Sequence, residues 1–217
     1  MGKSDPIIFS KYLDILRSSN NKKYKNVCFL GFDKPNNLTR SISCENSDFY
    51  DLSLENWNIN DKKWNINTGI YDLVVCTRCP YFSKSPRHFM EECCRILADK
   101  GALLVDWGLG DHWRFENYKI GWVKNNEHEF SYNKTNYLWS CIWDDSFTSH
   151  IEYKKFESWT RKFGYDNVKD AIQAEVPSIL NISEISNKFL LSVDMLALWE
   201  NSPQLYIIVF GEKNENN

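Results

Sequence analysis

The segment from Tyr71 to Asp106 constrains the fold more than any other part of the chain. Tyr71–Cys76 and Ala102–Asp106 are short apolar runs typical of buried strands. Ser85–Leu97, between them, has the pattern of a helix, with a serine cap followed by proline. A strand, a helix and a second strand in this order form a βαβ unit, which requires a parallel sheet with a right-handed crossover.

Further apolar runs extend this unit into a larger sheet. We predict strands at Val27–Leu30, Leu73–Cys76, Leu103–Val105 and Leu205–Phe210, the first three parallel and the last antiparallel. A further strand is predicted at Val168–Val176, and helices are predicted at Asp5–Arg17, Pro86–Leu97, Lys154–Phe163 and Ile185–Trp199. The expected fold is one α/β domain over residues 1–217, a three-layer sandwich with a mostly parallel sheet, an antiparallel C-terminal strand and an aromatic-rich insertion at 107–150.

Composition excludes several classes of protein. The chain has 217 residues, of which 42% are hydrophobic and 25% charged, which are globular values. It has no apolar run of eighteen residues, so we expect no membrane span. A net charge of −3 argues against a nucleic-acid partner, which calls for a basic face. Seven cysteines, an odd number, without an apolar signal core at the N-terminus predict a reduced, cytoplasmic protein.

Four motifs between Tyr71 and Trp107 point to a family. An aromatic–Asp pair, Tyr71–Asp72, opens the first strand, and Glu-x-x-Arg-x-Leu lies in the helix at Glu92–Leu97. A glycine turn at Asp99–Gly101 then precedes the strand that ends at Asp106. In order, spacing and residue type these motifs resemble the second half of a class I S-adenosylmethionine-dependent methyltransferase. The resemblance implies a Rossmann-like fold, S-adenosylmethionine as cofactor and methyl transfer to a small-molecule substrate.

The first half of the chain departs from the family pattern. The family has a glycine-rich loop after its first strand, and here Gly31 is the single glycine of that loop. Asp33 follows it, either as a contact to the cofactor's amino group or as a surface turn residue. Asp51 stands twenty residues after Gly31, where the family has an acidic ribose ligand, although it can equally cap a turn. Only twenty-one residues then separate Asp51 from Asp72, so either one βα unit is lost or its loops are very short.

The loop after the strand ending at Cys76 leaves the carboxyl edge of the sheet, where ligands of such folds bind. We therefore assign Cys76, Thr77 and Arg78 to the cofactor site and Tyr81 to the substrate site. Cys76 and Cys79 form a Cys-x-x-Cys pair, but the chain has no second pair of this kind. Because zinc sites typically use two such pairs, the cysteines are interpreted as buried thiols and no metal site is predicted.

Eleven aromatic residues lie between Trp107 and Phe147 and alternate with charges. Long ordered segments at the ligand edge of a sheet are usually functional, so we predict a substrate lid, with a structural mini-core as the alternative. In this lid Trp107, Trp113 and Arg114 are predicted to bind substrate. His112 and Asp106 are the candidate catalytic residues, with His112 as the general base. Asp106 is expected to face the ligand site, because a carboxylate at the end of an apolar strand is costly unless solvated or paired.

Three functions are compatible with these features. The first is a small-molecule methyltransferase that uses S-adenosylmethionine. The second is a non-catalytic module of the same fold that binds a ligand or a protein partner, which the single glycine favours. The third is another nucleotide or sugar-nucleotide enzyme on a similar sheet, since a fold does not fix a function.

Overall fold

A computed structural model of the chain describes residues 5–19, 23–80, 83, 86–110, 149–162, 189–199 and 203–214. The strands among these residues form one sheet, and helices pack on both of its faces. The helices are α1 (Asp5–Ser19), α2 (Asn37–Ser41), α3 (Pro86–Ile96) and α4 (Ile151–Lys162), with a short 3₁₀ helix at Leu52–Leu54. The strands are β1 (Tyr24–Leu30), β2 (Cys44–Tyr50), β3 (Tyr71–Cys76), β4 (Leu97–Gly110), β5 (Phe189–Trp199) and β6 (Pro203–Lys213).

The strands form one six-stranded sheet in the order β2-β1-β3-β4-β6-β5. β1 to β4 are parallel, and β6 is antiparallel to both of its neighbours, β4 and β5. The expected mostly parallel sheet with an antiparallel C-terminal strand is therefore confirmed. The predicted βαβ unit is β3-α3-β4, in which Val74 pairs with Leu103.

Helices cover both faces of the sheet because the strands bury side chains on both sides. β3 shows this alternation: Leu73 and Val75 pack in the cluster that contains α1 and α2, whereas Val74 and Cys76 pack in the cluster that contains α3 and α4. Near-continuous apolar strands of this kind are typical of parallel sheets covered on two sides. The three-layer arrangement predicted from the sequence is thus confirmed.

The chain between the 3₁₀ helix and β3, residues 55–70, is one irregular segment that covers part of one face of the sheet. Residues 51–70 are all described, and they contain no strand and only the 3₁₀ turn, so a βα unit is indeed lost here. Four apolar side chains of the segment take its place against the sheet face and α3: Trp57, Ile59, Trp64 and Ile66. The Trp64 ring meets Trp57 edge to face at 5.2 Å and Phe89 at 5.7 Å between centroids.

The helix predicted at Ile185–Trp199 is wrong, because Phe189–Trp199 is strand β5. β5 pairs with β6 along its whole length, from Phe189 opposite Lys213 to Trp199 opposite Pro203. Its apolar residues serve both faces: Phe189 and Met195 pack towards α4, and Leu198 packs towards α1. Periodicity alone cannot separate such a run, buried on both sides, from a buried helix.

Several boundaries differ from those expected. β2 occupies Cys44–Tyr50 and overlaps both of the short strands that the sequence suggests, at Ser41–Cys44 and Phe49–Leu54. β4 continues four residues past Asp106, so that 107–110 belong to the sheet opposite β6 rather than to an insertion. Helix α4 begins three residues earlier than Lys154. The strand predicted at Val168–Val176 and the rest of the insertion, 111–148, lie outside the described residues.

None of the helices in the described part of the chain is long and apolar enough to cross a membrane. The His, Cys, Asp and Glu side chains in the same part of the chain form no group of three or more that could hold a metal ion.

We predict that Trp64 is essential to the segment that replaces the missing unit. Trp64 is 1% exposed, so Trp64→Ala should lower the free energy of unfolding by about 3–5 kcal/mol, through lost burial and the cavity left behind. Ile151→Ala is the matched control, because Ile151 is 74% exposed and should cost within about 0.5 kcal/mol. Urea denaturation measures both. Equal losses in the two variants would show that residues 55–70 are not part of the core.

Candidate functional site

The carboxyl ends of β1 to β4 meet at one edge of the sheet because these strands are parallel. β1 lies between β2 and β3, so the chain order reverses beside it. In open α/β sheets, ligands bind outside the carboxyl ends of the strands at such a switch point. The loops after β1, β2 and β3 and the end region of β4 are therefore the candidate site.

Gly31, directly after β1, is in contact with the loop after β3. Its φ is +78°, a conformation that favours glycine, and its N–H donates to the Tyr50 carbonyl over 2.7 Å. A Cβ placed on Gly31 would lie 2.7 Å from Cys79 Sγ and 2.9 Å from Cys79 Cβ. The missing side chain of Gly31 thus makes room for Cys79, and the two loops close over the switch point.

Arg78 fixes the loop after β3 through two different groups. Its backbone has φ +56°, and its N–H donates to both carboxylate oxygens of Asp106 at 2.9 Å. Its guanidinium forms an ion pair with the buried carboxylate of Asp5, the first residue of α1. Cys76, fully buried at the end of β3, is hydrogen-bonded to Cys79, and burial raises the pKa of its thiol. Thr77 is also buried.

Asp106 lies in the middle of β4 and is completely buried. Besides the Arg78 N–H, its carboxylate accepts the phenolic O–H of Tyr12 from α1. Burial raises the pKa of Asp106 to about 7, although the hydrogen bonds from Tyr12 and Arg78 oppose this shift. Burial, together with the charge of Asp106, also raises the pKa of Tyr12, so Tyr12 remains a neutral donor.

A cavity of about 590 Å³ opens beside the carboxyl end of β2. Carboxylates, side-chain amides and aromatic rings line it together with one leucine; the lining residues are Tyr50, Leu52, Glu55, Asn56, Trp57, Asn58, Asp61 and Asn65. The indole N–H of Trp57 is buried and has no hydrogen-bond partner among the described residues. A polar lining with two rings suits a ligand that has both hydroxyl groups and a planar ring.

Helix α3 holds the wall of this cavity in place. The Glu92 carboxylate accepts a hydrogen bond from the backbone N–H of Trp64 at 2.8 Å. The Arg95 guanidinium donates to the backbone carbonyls of Ile66 and Trp64 at 2.7 and 3.1 Å. The Glu92–Arg95 ion pair itself is mostly buried, with its atoms 2.7 Å apart. His88 adds a hydrogen bond of 2.8 Å to the Asp61 carbonyl. The cavity is therefore built on fixed backbone, although residues 55–65 of its wall have no regular secondary structure.

The structure brings some of the predicted site residues together and leaves others apart. Gly31, Cys76, Thr77, Arg78 and Asp106 meet at the switch point. Asp51 follows the end of β2 and caps the 3₁₀ helix, accepting the Ser53 N–H at 2.8 Å. Asp33 is exposed in its turn, 3.6 Å from the ammonium of Lys34.

The predicted substrate side is described only at its beginning. The backbone of Trp107 pairs with Ile207 within the sheet, and nothing is described of its side chain. Tyr81, His112, Trp113 and Arg114 lie outside the described residues.

Sequence reasoning missed the groups that surround these residues. The sequence places Asp5 and Tyr12 only in a helix, and it indicates no contact of Cys79 beyond that of a buried thiol. The polar, Trp-containing sequence of residues 56–67 predicts a loop, yet this segment forms much of the cavity wall. The available signal was the pair of tryptophans, Trp57 and Trp64, in a polar segment that starts at the carboxyl edge.

Comparisons with solved structures identify the fold. The N-methyltransferase NodS from Bradyrhizobium japonicum, in complex with S-adenosylhomocysteine, aligns over 99% of this chain and 89% of its own, at 10% identity and a TM-score of 0.50. A putative methyltransferase from Bacillus halodurans aligns over 94% and 97% of the two chains at 15% identity, with a TM-score of 0.43. No protein-family model and no curated protein matches the chain. The likeness to NodS shows the Rossmann-like fold of the S-adenosylmethionine-dependent methyltransferases, as the sequence resemblance implied.

The contact between Gly31 and Cys79 predicts a specific pattern of stabilities. Gly31→Ala adds a methyl group against Cys79 at a positive φ, whereas Gly69→Ala, at φ +70° with open space around it, carries only the backbone cost of about 1–2 kcal/mol. Gly31→Ala should therefore cost about 1–3 kcal/mol more than Gly69→Ala, from overpacking. In a Cys79→Ala background this excess should shrink. Denaturant unfolding of the single and double variants measures this excess. An excess that persists unchanged in the Cys79→Ala background would show that contact with Cys79 is not its cause.

The raised pKa of Asp106 predicts a pH-dependent stability. Because the folded-state value of about 7 is above the ordinary value of 3.8, protonated Asp106 contributes stability at low pH that is lost as pH rises towards 7. Asp106→Asn keeps the shape but cannot ionise. The stability of the variant relative to the natural protein should therefore increase between about pH 4 and pH 7, by a few kcal/mol. Parallel profiles of unfolding free energy against pH would contradict this.

Proposed function

We propose that this protein is an S-adenosylmethionine-dependent methyltransferase that acts on a small molecule. The observation that carries the proposal is the polar and aromatic cavity of about 590 Å³ at the carboxyl end of β2, next to Asp51. This is the edge at which a sheet of this topology binds ligands. The NodS likeness supports the proposal at the level of the fold.

The described residues fit the nucleoside half of this cofactor. Glu55 and Asp61 line the cavity, and Asp51 lies between the lining residues Tyr50 and Leu52 in sequence. These carboxylates can accept hydrogen bonds from ribose hydroxyls and from an exocyclic amine, and such bonds are strong. The half-buried ring of Tyr50 gives the wall apolar surface for a purine, while the Trp57 ring is only 6% exposed. When bound, the cofactor supplies an electrophilic methyl group on a sulfonium.

The amino-acid half of the cofactor would belong over Gly31, beside Cys76, Thr77 and Arg78. In the structure Cys79 fills that space, so this half is accepted only if the loop after β3 moves. Asp33 is proposed to contact the amino group from the loop after β1. The cavity lining therefore supports binding of the nucleoside half, whereas binding of the amino-acid half requires the loop after β3 to move.

The substrate side of the proposal rests on the stretch that follows Asp106. Trp107, Trp113, Arg114 and Tyr81 are proposed to bind substrate, and residues 111–148 to form the lid. His112 is proposed as the general base. Asp106, fully buried and bonded to Tyr12 and Arg78, is proposed to position the Arg78 loop rather than to act on the substrate directly. A reducing, cytoplasmic location is proposed from the free thiols of the described cysteines.

A second function is favoured by one specific observation. Because Cys79 fills the space over Gly31, a protein whose β3 loop never moves would bind no intact cofactor. Such a protein would be a non-catalytic module that uses the same cavity for another ligand. Binding of S-adenosylhomocysteine separates the two functions.

Calorimetric titration and thermal shift with S-adenosylhomocysteine test the proposal. At a hundred times its dissociation constant the ligand should stabilise the protein by about 2.7 kcal/mol, while NAD and nucleotide sugars should not. Asp61→Asn should weaken binding about tenfold by removing a charged acceptor from the cavity. Asp14→Asn, an exposed acid on α1, is the matched control and should leave affinity unchanged. Absence of binding at millimolar ligand would reject the methyltransferase and favour the module.

A further inference from the structure

We propose that helix α1 is an autoinhibitory latch on the candidate site, an inference that rests on the proposed function. Asp5 and Tyr12 hold the loop after β3 in a position where Cys79 covers Gly31. The site accepts the amino-acid half of S-adenosylmethionine, or of S-adenosylhomocysteine, only in molecules in which that loop has been released.

The first step is that the loop is held by contacts from outside itself. Arg78 is in the left-handed region at φ +56°, where residues other than glycine persist only when their surroundings over-determine them. Those surroundings include the Asp5 carboxylate on its guanidinium and the Asp106 carboxylate on its N–H. Asp106 is fixed in turn by the Tyr12 hydroxyl. Arg78 is therefore linked to α1 twice, directly through Asp5 and indirectly through Asp106 and Tyr12.

The second step is that the held loop excludes a ligand from Gly31. The space that a glycine leaves for a ligand's close approach is occupied by the side chain of Cys79, within 2.9 Å of where a Cβ would lie. Cys79 follows Arg78 directly, so the position of one sets the position of the other. Any ligand that needs Gly31 competes with Cys79, and therefore with the contacts of Arg78.

The third step is that the wall of the nucleoside cavity is held from α3, by contacts other than those of the latch. Glu92, Arg95 and His88 tie the wall to α3, and these hydrogen bonds run to Trp64 and Asp61 rather than to a residue of α1. A nucleoside without the amino-acid half should thus bind whether or not the loop is released. Adenosine is the probe that separates the two halves of the site.

The test uses Asp5→Asn, which removes the ion pair at constant shape, and Tyr12→Phe, which removes only the hydroxyl. Tyr12→Phe serves independently where Asp5→Asn does not fold. Lys11→Gln is the matched control, because it breaks another ion pair of α1, with Asp194 at 2.5 Å, away from the loop. The ligand-free readout is the alkylation rate of Cys79 by a maleimide, located by peptide mass spectrometry, with the half-buried Cys44 as internal reference.

Apparent affinity scales with the populated fraction of the binding-competent state, so the two readouts are linked. We expect each latch variant to raise the Cys79 alkylation rate about tenfold and to tighten S-adenosylhomocysteine binding by the same factor. Affinity for adenosine, the Cys44 rate and both values in Lys11→Gln should stay unchanged. This pattern would establish the latch.

Three results would overturn it. Unchanged Cys79 alkylation in both folded variants would show that α1 does not hold the loop. Faster alkylation with unchanged S-adenosylhomocysteine affinity would show that the loop does not gate the ligand, while leaving the proposed function intact. Failure of the natural protein and of every variant to bind S-adenosylhomocysteine would overturn the proposed function and the gate together, leaving the α1 contacts as a structural tether.

Discussion

A carboxylate in the middle of an apolar sheet has to be given hydrogen-bond donors, and the arrangement around Asp106 follows from this requirement. The donors are the Tyr12 hydroxyl and the Arg78 N–H, and each brings a different part of the chain to the same point. Tyr12 fixes where α1 lies on the sheet, and Arg78 fixes the loop after β3. The Arg78 guanidinium then gives buried Asp5 its counter-charge. One buried ionisable group thereby organises the carboxyl edge, where the fold would bind a ligand.

The loss of one βα unit explains the second part of the site. A missing helix would expose the sheet face beside β1 and β2, and residues 55–70 cover it instead with Trp57, Trp64 and their apolar neighbours. An irregular segment cannot satisfy its own backbone groups, so Glu92 and Arg95 of α3 supply partners for Trp64 and Ile66. The outer side of the same segment is free to form a polar cavity. The compensation for a structural loss thus produces the cavity that the proposed function uses.

Much of the fold could be predicted from the sequence, because the βαβ unit of β3, α3 and β4 depends on local periodicity and caps. The β5 strand could not, because its apolar run is buried on two faces and only pairing with β6 decides between strand and helix. At the site, the edge rule for parallel sheets predicts Arg78, and the family resemblance predicts Gly31. Their partners Asp5, Tyr12 and Cys79 were not, since nothing local in a sequence shows which side chains meet across 70 or more residues, as Asp5 and Arg78 do.

The two candidate functions depend on the same five residues at this edge. If Arg78 always keeps its contacts with Asp5 and Asp106, Cys79 stays over Gly31 and only the nucleoside cavity is open. If those contacts open in a fraction of molecules, an intact cofactor binds with an affinity reduced by that fraction. The departure of the first half from the family pattern is, on this reasoning, a change in how the site opens rather than in where it lies.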